Sequence, residues 1–242
     1  MRVAVVTGAS SGIGAALCRT LRRDGWHVIG LSRSEAADAD EHETCDVGDR
    51  AAVDAVAARV LERHPRIDLL VNNAGVAGRE EFLRAEPELL EQLMRTNYFG
   101  SVWCVRAFLP GLVNGSRVVN VVSVAGLVAV GPYSASKHAS LAFSRSVAVE
   151  LSRRGVSVLT VNPGFVETPG FPQKHRFKYG SYRFVAQPQL VVDRILSAME
   201  SGRREIVVPR WYRVVTVPQA LAPGFFARVR SRVGGRTGPQ GE

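Results

Sequence analysis

Tyr133 and Lys137 stand four residues apart in the stretch GPYSASKHA, residues 131–139. That stretch opens a helical pattern, so both side chains fall on one helix face, one turn apart. A phenol beside an ammonium is expected to have its pKa lowered, because the positive charge favours the phenolate. Such a phenol can give or take a proton at a carbonyl or alcohol oxygen near neutral pH. Ser123 closes the β-branched run 118–122 and is placed to hold the same oxygen. A Tyr and a Lys at this spacing also occur on ordinary exposed helix faces, so the surrounding chain has to decide. Lysine occurs only at 137, 174 and 178, which sets Lys137 apart from incidental surface charge.

The elements that would position these residues read as alternating strands and helices. Residues 2–7, RVAVVT, form a run without polar alternation, as expected of a central parallel strand buried on both faces. Gly8-Ala-Ser10-Ser11-Gly12-Ile13-Gly14 follows and leads into a helix. A strand, a glycine-rich turn and a helix N-terminus make a phosphate site. The spacing is G-x-x-x-G-x-G rather than G-x-G-x-x-G. Residues 27–31 form the second strand, ending at Ser32-Arg33 where an NAD-preferring site would carry an acid. A guanidinium there suits a 2′-phosphate. Cys45-Asp46-Val47 reads as the end of a third strand, with Asp46 able to bond an adenine amino group. Residues 49–63 read as an amphipathic helix, and 67–71 as a fourth strand running into Asn72-Asn73-Ala74-Gly75. Residues 87–110 read as one long helix containing Asn97, a poor mid-helix residue that faces a polar cavity or bends the helix. A helix from Pro132 to about Leu151, a strand over 156–161 and the turn Asn162-Pro163-Gly164 follow. A helix over 188–201 and a strand over 205–208 complete the pattern.

With 242 residues and 46% hydrophobic content, a single α/β domain with a sizeable core is expected. Cys18, Cys45 and Cys104 show no CxxC or metal spacing, which implies reduced thiols and no metal site. The N-terminus enters a strand directly and no window nears roughly 18 uninterrupted apolar residues, so a cytoplasmic protein is expected. The net charge of +9 is uneven: residues 1–170 balance, whereas residues 171–242 hold 13 Lys+Arg against 4 Asp+Glu. A local excess argues against a nucleic-acid partner and for an anionic substrate group, acidic partner or membrane surface. Residues 165–187 interleave aromatics with basic residues in a long loop, as an aromatic lid over an apolar substrate would. Residues 209–233 form a basic, amphipathic extension suited equally to a membrane interface, a partner helix or a dimer arm. Residues 234–242 are expected to be disordered.

In order along residues 1–208, these motifs resemble the short-chain dehydrogenase/reductase family in its classical form. The resemblance implies a Rossmann-like, doubly wound parallel sheet and an NAD(P)-dependent oxidoreductase interconverting a carbonyl and a secondary alcohol. It implies a catalytic tetrad of Asn97, Ser123, Tyr133 and Lys137. In it Tyr133 is the general acid/base, Ser123 positions the substrate oxygen, and Asn97 holds a relay water. Lys137 binds the nicotinamide ribose and lowers the Tyr133 pKa. The implied cofactor set is Gly8, Ser10, Ser11, Gly12, Ile13 and Gly14, then Ser32, Arg33, Asp46 and Val47. It continues with Asn73, Ala74 and Gly75, then Pro163, Gly164, Val166 and Thr168, with Tyr133 and Lys137 shared. Ser32-Arg33 resembles the NADP(H)-preferring members, with NAD(H) still compatible. A homodimer or homotetramer is implied, and a lipophilic carbonyl or alcohol substrate fits the aromatic loop. Two rival readings are a cofactor-binding regulatory or scaffold protein, and an acyl-chain reductase docked on an acidic carrier or membrane. Ser123 and Tyr133 are ten positions apart, closer than is usual in the family, so the intervening loop is short.

Overall fold

The computed structural model describes residues 1–78, 80–170, 172–173 and 185–234. Seven parallel strands form one sheet in the order β3-β2-β1-β4-β5-β6-β7. They are β1 (Arg2–Thr7), β2 (Trp26–Ser32), β3 (Glu41–Thr44), β4 (Leu69–Asn72), β5 (Arg117–Val121), β6 (Ser157–Pro163) and β7 (Glu205–Val208). The connecting helices are α1 (Gly12–Arg23), α2 (Arg50–Arg63), α3 (Pro87–Met94), α4 (Gly100–Phe108), α5 (Gly131–Ser152) and α6 (Pro188–Glu200). After β7 come a short 3₁₀ turn, Arg210–Tyr212, and the helices α7 (Arg213–Leu221) and α8 (Pro223–Gly234).

Alternation along the strands sorts the core into two layers. Ala4 and Val6 of β1 pack with Leu17 and Leu21 of α1 and with Val191 and Ile195 of α6. Val3 and Val5, pointing the other way, pack with Val53 and Val60 of α2, Phe108 of α4 and Leu151 of α5. Covering both faces makes the central strands continuously apolar, as the sequence of β1 implies. The chain reverses direction across the sheet between β1 and β4, and a crevice opens there beyond the strands' C-terminal ends.

Two elements differ from expectation. The third strand lies before Cys45, over Glu41–Thr44, and is polar throughout. As the edge of the sheet it pairs on one side only, and charged side chains guard the other. The expected single helix over 87–110 is broken by a π turn, Arg95–Phe99, between α3 and α4. A π turn holds one extra residue, which swings Asn97 inward until it is buried.

Candidate active site

The crevice at the switch point is a cleft of about 770 Å³. Its cofactor-side wall starts at Gly8, whose φ of +65° turns the chain sharply out of β1. A side chain on Gly14 would collide with the Gly8 carbonyl, so α1 can start close under the turn. Ser11 caps α1 in an extended conformation without a side-chain bond, and its first turn holds no acid. The first-turn N–H groups of α1 thus have neither a side-chain cap nor an acidic neighbour, an arrangement suited to an anion. Thr7 locks this wall to the next strand. Its hydroxyl accepts from the Asn73 and Ala74 N–H groups at 2.9 and 3.0 Å. The Asn73 amide donates back to the Thr7 carbonyl at 3.0 Å.

The sequence-derived cofactor residues are brought together here. Gly8, Ser10, Ser11, Gly12, Ile13, Ser32, Arg33, Asp46, Val47, Asn73, Ala74, Gly75, Pro163, Gly164, Val166 and Thr168 all line the cleft. Gly14 sits behind this lining as a buried spacer. Arg33 is exposed at the rim just past β2, and the Ser32 hydroxyl donates to the Ser34 carbonyl at 2.6 Å. Asp46 is also exposed, and its carboxylate accepts from the Gly48 N–H at 2.9 Å. A glycine cradle, an acid-free helix start and a rim guanidinium fit a dinucleotide's phosphates.

Opposite this wall lies the Tyr133 constellation. The Ser123 hydroxyl accepts from the Ala125 N–H at 3.0 Å, which caps the 3₁₀ turn Val124–Leu127. It also hydrogen-bonds the Tyr133 phenol. The short approach from Ser123 to Tyr133 thus still brings the two hydroxyls into contact. Lys137 is buried, with Nζ 5.8 Å from the Tyr133 ring centroid and donating to the Val121 carbonyl at 3.4 Å. Burial pushes the phenol up to about 12, and the Ser123 bond offsets this only in part. Burial likewise pulls Lys137 down to about 8. The phenol's shift is opposite to the expected lowering: loss of hydration is the largest cause, and the opposing one comes from Ser123 rather than from the Lys137 ammonium.

Asn97 is fixed from three directions. Its amide oxygen accepts from the Val76 N–H at 2.9 Å, and its amide nitrogen donates to the Val76 carbonyl at 3.0 Å. The same nitrogen donates to the Ser136 hydroxyl at 2.9 Å, which in turn donates to the Tyr133 carbonyl at 2.8 Å. The Asn97 side chain is therefore engaged by the protein itself, tying the β4 exit to the Tyr133 helix. Beneath it a buried polar chain joins β4, β5, α5 and β6. Asn72 donates to Asn120 at 2.8 Å, Asn120 to Ser144 at 2.9 Å, and Ser144 meets Thr160 at 2.6 Å.

Three contributors escaped the sequence reading. Ser136 is the link between Asn97 and Tyr133. The Ser134 hydroxyl closes the short loop by bonding the carbonyls of Ala125, at 2.6 Å, and Val128. Tyr212, from the extension, is buried against the Pro163-Gly164 turn, and its hydroxyl accepts from the Phe165 N–H at 3.1 Å. A Cβ on Gly164 would overlap the Tyr212 ring, so this glycine serves tail packing as well as the cleft. The two serines sit inside Tyr-Ser-Ala-Ser-Lys, where their helical spacing is the only signal. Nothing local to Tyr212 announces its partner. Of the loop aromatics, Phe165 lines the cleft, while Phe171, Phe177, Tyr179, Tyr182 and Phe184 lie outside the described residues, as does the tail beyond 234.

Comparison with known proteins agrees with this geometry. The family model for short chain dehydrogenases matches residues 2–178. A Streptomyces coelicolor protein named as a ketoacyl reductase is 37% identical over 220 residues, covering 83% of this chain and 84% of its own length. A short-chain dehydrogenase structure from Streptomyces avermitilis superimposes with a TM-score of 0.78 at 27% identity, over 98% of both chains. An actinorhodin polyketide ketoreductase variant solved with NADPH gives a TM-score of 0.74 at 29% identity, over 86% of this chain and 95% of that one. With a family-wide match over most of its length and the matching fold beneath it, this chain belongs to the short-chain dehydrogenase/reductase family.

Proposed function

We propose that the protein is an NADPH-dependent reductase of a ketone carried on a lipophilic acyl chain, with Tyr133 as its proton donor. The observation that carries this reading is the Ser123–Tyr133 hydroxyl contact at the cleft, with Lys137 buried beside it. A phenol held at about 12 is protonated at neutral pH, as a proton donor must be. It remains more acidic than an alcohol, so transfer to a forming alkoxide is downhill. Ser123 would hold the substrate oxygen through its hydroxyl proton, now directed at the Pro163 carbonyl at 3.4 Å, while its oxygen accepts from the Ala125 N–H. Lys137 supplies positive charge behind the phenol and donors toward a ribose. Asn97 positions the Tyr133 helix through Ser136.

The cofactor, when bound, supplies the hydride; the chain supplies placement and the proton. The turn from Gly8 to Gly14 would hold its pyrophosphate and Arg33 a 2′-phosphate, which favours NADP(H) over NAD(H). Val124, Val128, Val130 and Phe165 give the substrate mouth an apolar lining, in keeping with an acyl chain. Likeness to a protein named as a ketoacyl reductase supports the same substrate class. The stacked Phe99 and Trp103 rings, 5.5 Å apart on the outer side of α4, suit association into a homodimer or homotetramer. No helix among the described residues is long and apolar enough to cross a membrane. Residues 209–233 leave Val214, Leu221 and Phe225 exposed, which suits a peripheral contact.

The test is NADPH oxidation by purified protein over a panel of ketoacyl thioesters, simple ketones and aldehydes. Turnover is expected on the ketoacyl thioesters, with NADH a poor substitute. Binding of NADPH without turnover in either direction across the panel would leave a regulatory binder instead.

A further inference from the structure

The N-terminal ends of the strands carry a second constellation, remote from the cleft. His27 is the second residue of β2, Glu41 the first of β3, and His64 the C-cap of α2. From His27, β2 runs about 16 Å before reaching Ser32 at the cleft, at roughly 3.3 Å per residue. Both imidazoles converge on one carboxylate oxygen. Glu41 Oε1 lies 2.6 Å from His27 Nε2 and 2.7 Å from His64 Nε2. The two rings stand 5.0 Å apart, tilted by 39°. Arg63 occupies the other oxygen, donating to Oε2 at 2.9 Å. The Asp40 carboxylate lies 4.0 Å from His27 Nδ1. Side-chain exposures of 21%, 27% and 16% for His27, Glu41 and His64 leave the cluster shielded but reachable.

We propose that His27, Glu41 and His64 form a site for a divalent cation of the zinc class, which ties the edge strand β3 to β2 and α2. Two imidazole nitrogens and one carboxylate oxygen are a donor set suited to such a cation. The three ligand atoms already lie within 4.8 Å of one another. Tetrahedral bonds of about 2.0–2.1 Å require ligand atoms about 3.3 Å apart. The two His–Glu separations therefore need to open by about 0.6–0.7 Å, and the two histidine nitrogens, within 4.8 Å of each other, to settle at about 3.3 Å by rotation of the imidazoles. In the metal-free cluster each Nε2 donates to Glu41 Oε1; the cation takes the place of those two protons, which pass to Nδ1 or to solvent. Arg63, by holding Oε2, leaves Oε1 turned toward both histidines. The guanidinium does not leave the cluster positive. Arg63 is shared with Glu43 at 2.7 Å, Arg59 also pairs Glu43 at 2.7 Å, and Arg22 pairs Asp40 at 2.8 Å. Three carboxylates thus match three guanidiniums. The cation's role is structural, because the site lies at the opposite end of the sheet from Tyr133. The ligands are 14 and 23 residues from one another along the chain, so no short spacing motif discloses them.

The full chain, first stripped with a chelator, is titrated with Co²⁺ and its visible ligand-field absorption read; Zn²⁺ is then added. One equivalent of Co²⁺ is expected to bind and to be displaced by Zn²⁺. Zn²⁺ at 100 times its Kd is expected to raise the Tm by on the order of 5–10 °C. The double variant His27→Gln/His64→Gln keeps amides that can donate to Glu41. It is expected to lose the band and the Tm rise while its metal-free Tm stays near the parent's. His64→Asn alone, at a helix end that tolerates it, is expected to weaken Co²⁺ at least tenfold. The proposal is overturned if the parent shows no stoichiometric Co²⁺ band or no Tm rise. It is equally overturned if either variant binds as tightly as the parent.

Discussion

The two ends of the parallel sheet handle charge in opposite ways. At the C-terminal end, burial suppresses it: the Tyr133 phenol is pushed up to about 12 and the Lys137 ammonium pulled down to about 8. At the N-terminal end, burial also acts first, but pairing overrides it. Bonds from His27, His64 and Arg63 bring the Glu41 carboxyl down to about 2. Val3 and Arg66 likewise hold Asp68 below its usual range, and Arg59 and Arg63 do so for Glu43. One end therefore disfavours charge, and the other fixes full charges at the sheet edge. Burial dominates around Tyr133 and Lys137, whereas Glu41, Glu43 and Asp68 each find a hydrogen-bonded cation or N–H.

The largest test of this contrast is Tyr133→Phe. Removing the proton donor is expected to lower kcat by roughly 10³-fold while leaving NADPH affinity unchanged, read by steady-state kinetics and fluorescence titration. A retained kcat would mean that the buried end is not where the proton comes from. Next comes Lys137→Met. A folded pKa of about 8 against the ordinary lysine value of 10.5 means the folded state binds fewer protons between those pH values than the unfolded chain does. Stability from this group is therefore present above 10.5 and is lost as pH falls through 8. Removing the ammonium is expected to stabilise the protein at pH 7 by up to roughly 3 kcal/mol, fading to nothing by high pH, measured by denaturant unfolding. A destabilised variant would show that Lys137 is compensated after all, and the contrast would fail at its centre.

Arg33→Ala probes a charge at the cleft end that is exposed rather than buried. The KM for NADPH is expected to rise about 10–100-fold with NADH little changed, as for a charged hydrogen bond lost to a phosphate. Equal effects on both cofactors would detach Arg33 from the 2′-phosphate. The smallest effect belongs to the paired end. Asp68→Asn, which weakens bonds to Val3 at 2.9 Å and Arg66 at 2.6 Å, is expected to cost about 1 kcal/mol. Because the folded pKa is lowered, that contribution is present above the ordinary carboxylate pKa and disappears on acidification through the folded value. Unfolding midpoints at neutral and at acid pH would read both.

Much of this was legible in the chain because the relevant signals are local. Val3–Val6 has no polar alternation, and only a strand buried on both faces explains that. The turn from Gly8 to Gly14 sits directly between strand and helix, and Tyr133 with Lys137 shares one helix turn. What the chain did not disclose depends on distance. β3 is a four-residue polar edge strand whose identity comes from pairing with β2, not from its own pattern. Tyr212 reaches the Pro163-Gly164 turn across more than forty residues. The balance between desolvation and charge at Tyr133 is set by how deeply the site is packed, which neighbours in sequence do not report. Asn97 was half legible: the anomaly of an asparagine inside a helix was visible, whereas the π turn that resolves it was not.

That π turn, Arg95–Phe99, constrains length rather than composition. Deleting one residue from it would let α3 and α4 merge into a regular helix with better backbone geometry. Because the π turn already absorbs the extra residue, the flanking helices would keep their register on the sheet, and the change would fall on the turn itself. Asn97 would swing out of reach of Val76. The segment can therefore absorb many substitutions and no change in residue count. Variant libraries of this protein should treat residues 95–99 as fixed in number even where they are free in kind.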